Sequence, residues 1–244
     1  MIKIKHIVQF SGGAASAYVA KLVIDKFGKE NTILLHHDTK AEDPDTYRFL
    51  EQISNYLDHE ITDVSDGRSL WELIEDTHCI PNYFMPFCTQ TLKLKPAEKF
   101  YKSLSEPFIQ YNGFGPNEWK RVAKAMPRAE IAGRQLKCLL YERNINDEQV
   151  KDTIRHTWKI CLPNAYRFLN HNNCIPCWKG GKGHFYQIWL HYPKQFKQAI
   201  EAEKSTEYIR FKDETLEELA KKWKAGNMDN LFDDDAGIPC MCAD

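Results

Sequence analysis

Six residues, Ser11-Gly12-Gly13-Ala14-Ala15-Ser16, stand between the apolar run Ile7 to Phe10 and a helix-like stretch from Ala17 to Phe27. A strand that turns through two glycines into a helix is a phosphate cradle: the glycines admit an anion close to the backbone, and the helix aims its N–H groups at it. Ser11 and Ser16 add hydroxyl donors. The spacing excludes a Walker loop, because no Lys follows the glycines, and it excludes the three-glycine dinucleotide fingerprint. An ordinary glycine turn is the plain alternative.

Sulfur chemistry is the second signal. Cys174-Ile175-Pro176-Cys177 lets two thiolates share one metal, which is half of a tetrahedral site. The remaining ligands would come from Cys88, Cys240, Cys242, His171 or His184. A redox dithiol is the competing reading. Cys88 opens a helix-like segment carrying Lys93 and Lys95, a setting that favours thiolate and so a nucleophile or a metal ligand. Thiolate-rich sites suit zinc and iron–sulfur clusters alike, and the sequence leaves that choice open.

Two acidic groupings complete the list. Asp38, Thr39 and Glu42 follow the second strand and could hold Mg²⁺ or a ribose, although helix capping by Asp43 and its neighbours needs only one acid. Glu118 and Arg121, one turn apart after the glycine loop Gly113 to Pro116, make an anion-friendly helix start or a simple surface pair.

The elements that must position these residues alternate. Strands are expected at Lys5 to Phe10, Thr32 to His37, Glu60 to Val64, Phe108 to Asn112 and Leu136 to Tyr141. Helices are expected from Ala15 to Phe27, from Pro44, from Ser69 to Asp76, from Thr89 to Ser103, through Met126, and from Asn146 to Trp158. Cys161 to Gly183 reads as loop, with helices around Phe185 to Lys204 and Glu214 to Lys224. The pattern predicts an α/β fold with a doubly wound parallel sheet, whose ligands bind at the carboxyl ends of the strands. A nucleotide-binding domain is expected over 1–160 and a helical, cysteine-bearing lobe over 161–244.

The chain has 244 residues, 43% of them hydrophobic, and a formal net charge of −1, so no global field argues for nucleic acid or a lipid surface. With neither a signal-type leader nor a membrane-length apolar run, a cytoplasmic protein with no membrane partner is expected. Its eight cysteines should then be reduced thiols. Cys79, Cys138 and Cys161 read as small buried hydrophobes.

In order along the chain, the Ser-Gly-Gly-x-x-Ser loop, Asp38-Thr39-x-x-Glu42, Cys88-Thr89-x-x-Leu92-Lys93-x-x-Pro96, Gly113 with Glu118-x-x-Arg121, and His171-x-Asn173-Cys174-x-x-Cys177 resemble the motifs of one family. The likeness covers about residues 5–190. It is to the phosphoadenylyl-sulfate (PAPS) reductase-like branch of the N-type ATP pyrophosphatases, the PP-loop superfamily, near the DNA-phosphorothioation and phage-type members. Many relatives carry Lys-Asp where this chain has Ala14-Ala15, so a cation and an acid are missing from the loop.

The resemblance implies a Rossmann-like fold of the adenine nucleotide alpha-hydrolase type. ATP or a related adenine nucleotide would sit on Ser11, Gly12, Gly13, Ser16, Asp38, Thr39, Glu42, Gly113 and Glu118, with Mg²⁺. Cys88, Lys93 and Arg121 would be catalytic. Cys88, Cys174, Cys177 and Cys242 would hold a [4Fe-4S] cluster, or alternatively zinc. The implied activity is adenylation of an acceptor, a nucleic-acid base or a small molecule, followed by sulfur transfer. Alternatives are reduction of an adenylyl sulfate, and a non-catalytic component of a modification or defence system. A homodimer is an option the resemblance leaves open.

Overall fold

A computed structural model of the chain describes residues 3–172 and 174–228. Five parallel strands, β1 (Lys5–Gln9), β2 (Thr32–His37), β3 (Ile61–Val64), β4 (Phe108–Tyr111) and β5 (Gln135–Lys137), lie in the order β3-β2-β1-β4-β5. Ile7 and Val8, neighbours in β1, are both fully buried, which requires cover on both faces because successive side chains point to opposite sides. Val8 and Leu34 pack with α1 (Ala14–Phe27) and α2 (Pro44–Leu57), whereas Ile7 and Leu35 pack with Ala97. The sheet is doubly wound. Its order reverses between β1 and β4, and a crevice opens there at the carboxyl ends.

Local signals start the helices. Asp43 accepts from the Asp45 amide to cap α2, with Pro44 at the first helical position. Ser69 and Glu72 form a reciprocal capping box on α3 (Leu70–Thr77). A short α4 (Phe87–Thr89) continues through a π turn, Gln90–Leu94, into α5 (Lys95–Ser103). After β4 come a 3₁₀ turn, Pro116–Glu118, and α6 (Trp119–Ile131), then β5, α7 (Leu139–Glu142) and α8 (Asp147–Asp152). Asn146 and Gln149 box α8 as their spacing predicts.

Beyond a 3₁₀ turn at Asn164–Arg167 lie α9 (Lys182–His191), α10 (Pro193–Thr206) and α11 (Leu216–Lys224). These helices share a second apolar core, including Trp178, Phe185 and Trp223, with Leu73 and Ile74 of α3. No helix among the described residues is long and apolar enough to cross a membrane.

Several expectations are corrected. The run Leu136 to Tyr141 is strand only to Lys137; Leu139–Glu142 is helical, because the Glu142 carboxylate accepts from the Cys138 amide and the Glu142 amide donates to the Cys138 carbonyl. The helix expected to stop at Met126 continues across Pro127 to Ile131. Tertiary packing of Val122, Ala125 and Ala129 outweighs the missing hydrogen bond. The segment Phe185 to Lys204 is two helices, broken at Tyr192 ahead of Pro193, as the restriction on a residue before proline requires. Cys138 is buried, but Cys161 is exposed and Cys79 only half-buried.

Candidate nucleotide-binding site

A cleft of about 530 Å³ lies over the carboxyl ends of β1, β2 and β4, within the range of small-molecule sites. Of the expected residues, Ser11, Gly13, Ser16, Glu42, Lys93, Gly113, Glu118 and Arg121 line it. Five basic side chains (Lys93, Arg121, Arg128, Arg134, Lys151) and four acidic ones (Glu42, Glu98, Glu118, Asp147) face it. Such a mixture suits a ligand with an anionic end and a neutral, hydrogen-bonding end. Gln9, Gln110 and Asn112 supply the neutral polar wall. The buried Asn112 amide nitrogen has no hydrogen-bond partner among the described residues.

The phosphate loop is held from outside. Gly12 adopts φ +74°, and an added Cβ would lie 2.8 Å from Thr46 Cγ2. Asn172 donates to the Gly12 carbonyl at 2.9 Å and accepts from the Thr46 hydroxyl at 3.0 Å. Ser16 donates to the Gly13 carbonyl, and Ser11 to Ser16. Gly13 precedes α1 with no side-chain cap, so the helix start is open to an anion. One of its amides, that of Ala14, donates to the Tyr166 hydroxyl at 3.0 Å. A Cβ on Gly113 would stand 3.1 Å from the backbone of Ala15 and Ser16, so a side chain there would push the loop after β4 and the start of α1 apart by a few tenths of an ångström.

The edge after β2 divides. Glu42 faces the cleft and accepts from the Thr39 hydroxyl at 2.7 Å. Thr39, buried, also contacts the Cys174 sulfur at 3.2 Å. Asp38 is not brought to the cleft: its carboxylate accepts from the Lys40 amide and the Tyr47 hydroxyl. His37 joins the site without having been singled out in the sequence, since nothing in an apolar strand marks its last residue. Its Nε2 is buried without a hydrogen-bond partner among the described residues, and burial, with lesser repulsion from Lys93 and His36, pushes the imidazole down to about 3.

That depression has a sign. The unfolded chain takes up the proton near pH 6.5 and the folded chain only near 3, so this stability is complete above about 6.5 and is lost as pH falls towards 3. At pH 5 the loss is about 2 kcal/mol. Thermal unfolding at pH 7 and 5 is expected to show a drop in Tm that His37→Asn reduces by roughly 4–8 °C; parallel drops in the two proteins would acquit the histidine.

On the β4 side, Glu118 accepts from the Gly115 amide at 2.9 Å and pairs with Arg121. Arg121 is 7% exposed, and its guanidinium stacks 4.1 Å over the Phe114 ring. The buried position removes the simple surface pair as an explanation. The carboxylate orients a cation that looks into the cleft.

The cysteines lie behind this wall. Cys88 and Cys174 both pack against the second core. The buried Lys179 donates to Thr89 at 2.8 Å, tying the Cys-x-x-Cys segment to the residue after Cys88. The Ile175 amide donates to the Ala41 carbonyl, fixing the same segment to the Thr39–Glu42 edge. His184 is spent locally, its Nε2 accepting from the Cys177 amide while burial, chiefly, holds its pKa near about 4. His171 lines the nucleotide cleft rather than a thiolate group. Cys240 and Cys242 lie outside the described residues. Among the described residues, no three of His, Cys, Asp and Glu form a group that could hold a metal, so these residues do not by themselves fit a cluster or a zinc ion.

Residues 5–113 match the phosphoadenosine phosphosulfate reductase domain family. The match covers less than half of the chain, so over these residues the chain is similar to that domain. The matched segment contributes the loop 11–16, the Thr39–Glu42 edge, Lys93 and Gly113, whereas Arg121, Lys151, Tyr166 and Asn172 follow it. Among solved structures, phosphoadenylyl-sulfate (PAPS) reductase from Candida auris, in a phosphate complex, is similar at 17% identity and a TM-score of 0.46, over 66% of this chain and 76% of that one. A search of curated proteins gives no match.

Proposed function

We propose that this chain is an adenine-nucleotide-dependent enzyme of sulfur chemistry, which adenylates an acceptor with ATP and replaces the adenylate with sulfur. The observation that carries the reading is the Thr39 hydroxyl, which touches both Glu42 of the nucleotide cleft and the Cys174 thiol. In the first step, an acceptor oxygen attacks the α-phosphorus, the bond to the bridging oxygen breaks, and pyrophosphate leaves on the loop 11–16. Backbone donors at a helix start stabilise that charge as it develops. Arg121 and Lys93 face the same space. In the second step, the outer sulfur of a cysteine persulfide, loaded by an external persulfide donor, attacks the adenylated carbon as AMP leaves, and an external thiol then reduces the resulting Cys–S–S–acceptor disulfide to release the thiolated product. In the [4Fe-4S] form of this reading Cys88, Cys174 and Cys177 would hold the cluster, with Cys240 or Cys242 at its fourth corner or that corner open, and no step above depends on it.

The same Cys174 placement serves a thiolate attack on an adenylyl sulfate, in which the sulfur–oxygen bond breaks, an adenosine phosphate leaves, and the cysteine keeps the sulfonate. Purified protein with ATP in one arm and adenylyl sulfates in the other decides between them. Calorimetric ATP binding that survives Cys174→Ala, with pyrophosphate released once a competent acceptor is present, is the expected result. Adenosine phosphate formed in step with one S-sulfocysteine would assign the reductase reading instead. ATP binding without turnover on any acceptor would favour a non-catalytic component, and no affinity for any adenine nucleotide would overturn the whole reading.

A further inference from the structure

The cleft extends from the phosphate loop down one face of the sheet. Ile7 packs with Ala97 of α5, and the register sets Ile7 beside Gln110 and Gln110 beside Leu136, so these residues share a face. Leu136 packs with Ala125 and Ala129 of α6, which puts α6 on that same side. With only alanines at 97, 125 and 129, the two helices leave a slot between them, floored by Gln9, Gln110 and Asn112.

Two buried nitrogens in this slot wait for an acceptor. Gln110 donates to Asn112 Oδ1 at 3.1 Å, which leaves Asn112 Nδ2, on a residue 1% exposed, with no hydrogen-bond partner among the described residues. Arg134 gives Nη1 to Glu98 and stacks 5.3 Å from the centre of the Tyr101 ring, so its guanidinium is held in place. Its Nε is buried and likewise without a hydrogen-bond partner among the described residues. Each such donor costs about 1–3 kcal/mol until something accepts from it, and neither nitrogen can itself accept. Whatever completes the slot therefore carries oxygen acceptors. Lys93, Arg128 and Arg134 face it against Glu98, so it is also short of negative charge.

Resting on the nucleotide reading, we infer that this slot is the acceptor subsite and that the acceptor is a small molecule ending in a carboxylate, which Arg134 grips through Nε and Nη2. That edge of a guanidinium meets a carboxylate in two parallel bonds, and it is the edge that Glu98 does not use. Glu98, its side chain 46% exposed, stays in water on the other side of the cation. The reacting end of the acceptor then points to the carboxyl edge of the sheet, where Asn112 adjoins Gly113 and the loop 11–16. Adenine offers no anion to Arg134, so the slot falls to the acceptor rather than to the nucleoside.

Benzoate and its neutral counterpart benzamide, titrated with and without ATP and followed by ligand-observed NMR, probe the slot. Wild type is expected to bind benzoate about tenfold more tightly than benzamide. Arg134→Met should abolish that preference and keep its ATP affinity in calorimetry. Glu98→Gln keeps a hydrogen-bonding partner for Arg134 but removes the competing charge, so it should tighten benzoate about threefold, a gain that disturbed packing would not produce. Equal affinity for the two probes in wild type, benzoate binding that Arg134→Met leaves intact, or no gain in Glu98→Gln overturns the inference; should Arg134→Met fail to fold, the Glu98→Gln result decides alone. A parallel loss of ATP affinity in folded Arg134→Met would give the slot to the nucleoside and also overturn it, with the nucleotide reading left standing. Wild type that takes benzoate but no adenine nucleotide overturns the nucleotide reading, and the acceptor role with it.

Discussion

Gly12→Val is expected to abolish nucleotide binding, with ATP affinity falling more than about a hundredfold and Tm by roughly 5–15 °C. Two effects add. At φ +74° a side chain costs about 1–2 kcal/mol, and a β-branched one is worse. The new Cβ also meets Thr46 Cγ2 at 2.8 Å, and Thr46 holds Asn172, which in turn holds the Gly12 carbonyl. The loop therefore loses its own shape and its external brace together. Gly133→Ala separates the terms, because Gly133 has φ +70° with open space around it. That variant should lose about 1 kcal/mol of stability and no affinity. Wild-type ATP affinity in Gly12→Val would show that the loop is not where phosphate binds.

Arg121→Met should reduce turnover, read as pyrophosphate release, by about 10²–10³-fold. The apolar stem still covers Phe114, but the cation facing the cleft is gone and Glu118 keeps only the Gly115 amide. Stability should fall by about 1–3 kcal/mol, since a part-buried carboxylate loses its partner. Adding Glu118→Gln should return most of that stability without returning turnover. Recovery of both would make Arg121 a structural residue, and an unchanged rate in the single variant would remove it from the reaction.

The centre of the fold was legible because its strands are continuous apolar runs. Ile7-Val8 and Leu34-Leu35 read as a sheet buried on both faces, and Gly12-Gly13 marked the turn between them. Short apolar runs carry no period, which is why Leu139-Leu140-Tyr141 read as strand and is helix. At the site, loop, edge and β4 motifs converge on one cleft, but Asp38 does not follow Glu42 into it, because the turn at Lys40 and the Tyr47 hydroxyl hold its carboxylate elsewhere. Tyr166 and Asn172 were invisible as braces of the loop 11–16. Their role depends on where a loop lies in space, and no local periodicity records that.

The brace formed by Asn172 and Tyr166 also orders events during synthesis. Ser11 to Ser16 leave the ribosome early, and β1, β2 and β4 can assemble once residue 111 has followed. The Gly12 carbonyl and Ala14 amide gain their partners only after another fifty or so residues, when 166 and 172 have emerged. A nascent chain from which residue 160 has just emerged would own the strands of the sheet but a loop 11–16 without its outside partners, so the loop takes its braced form late, after the scaffold that carries it.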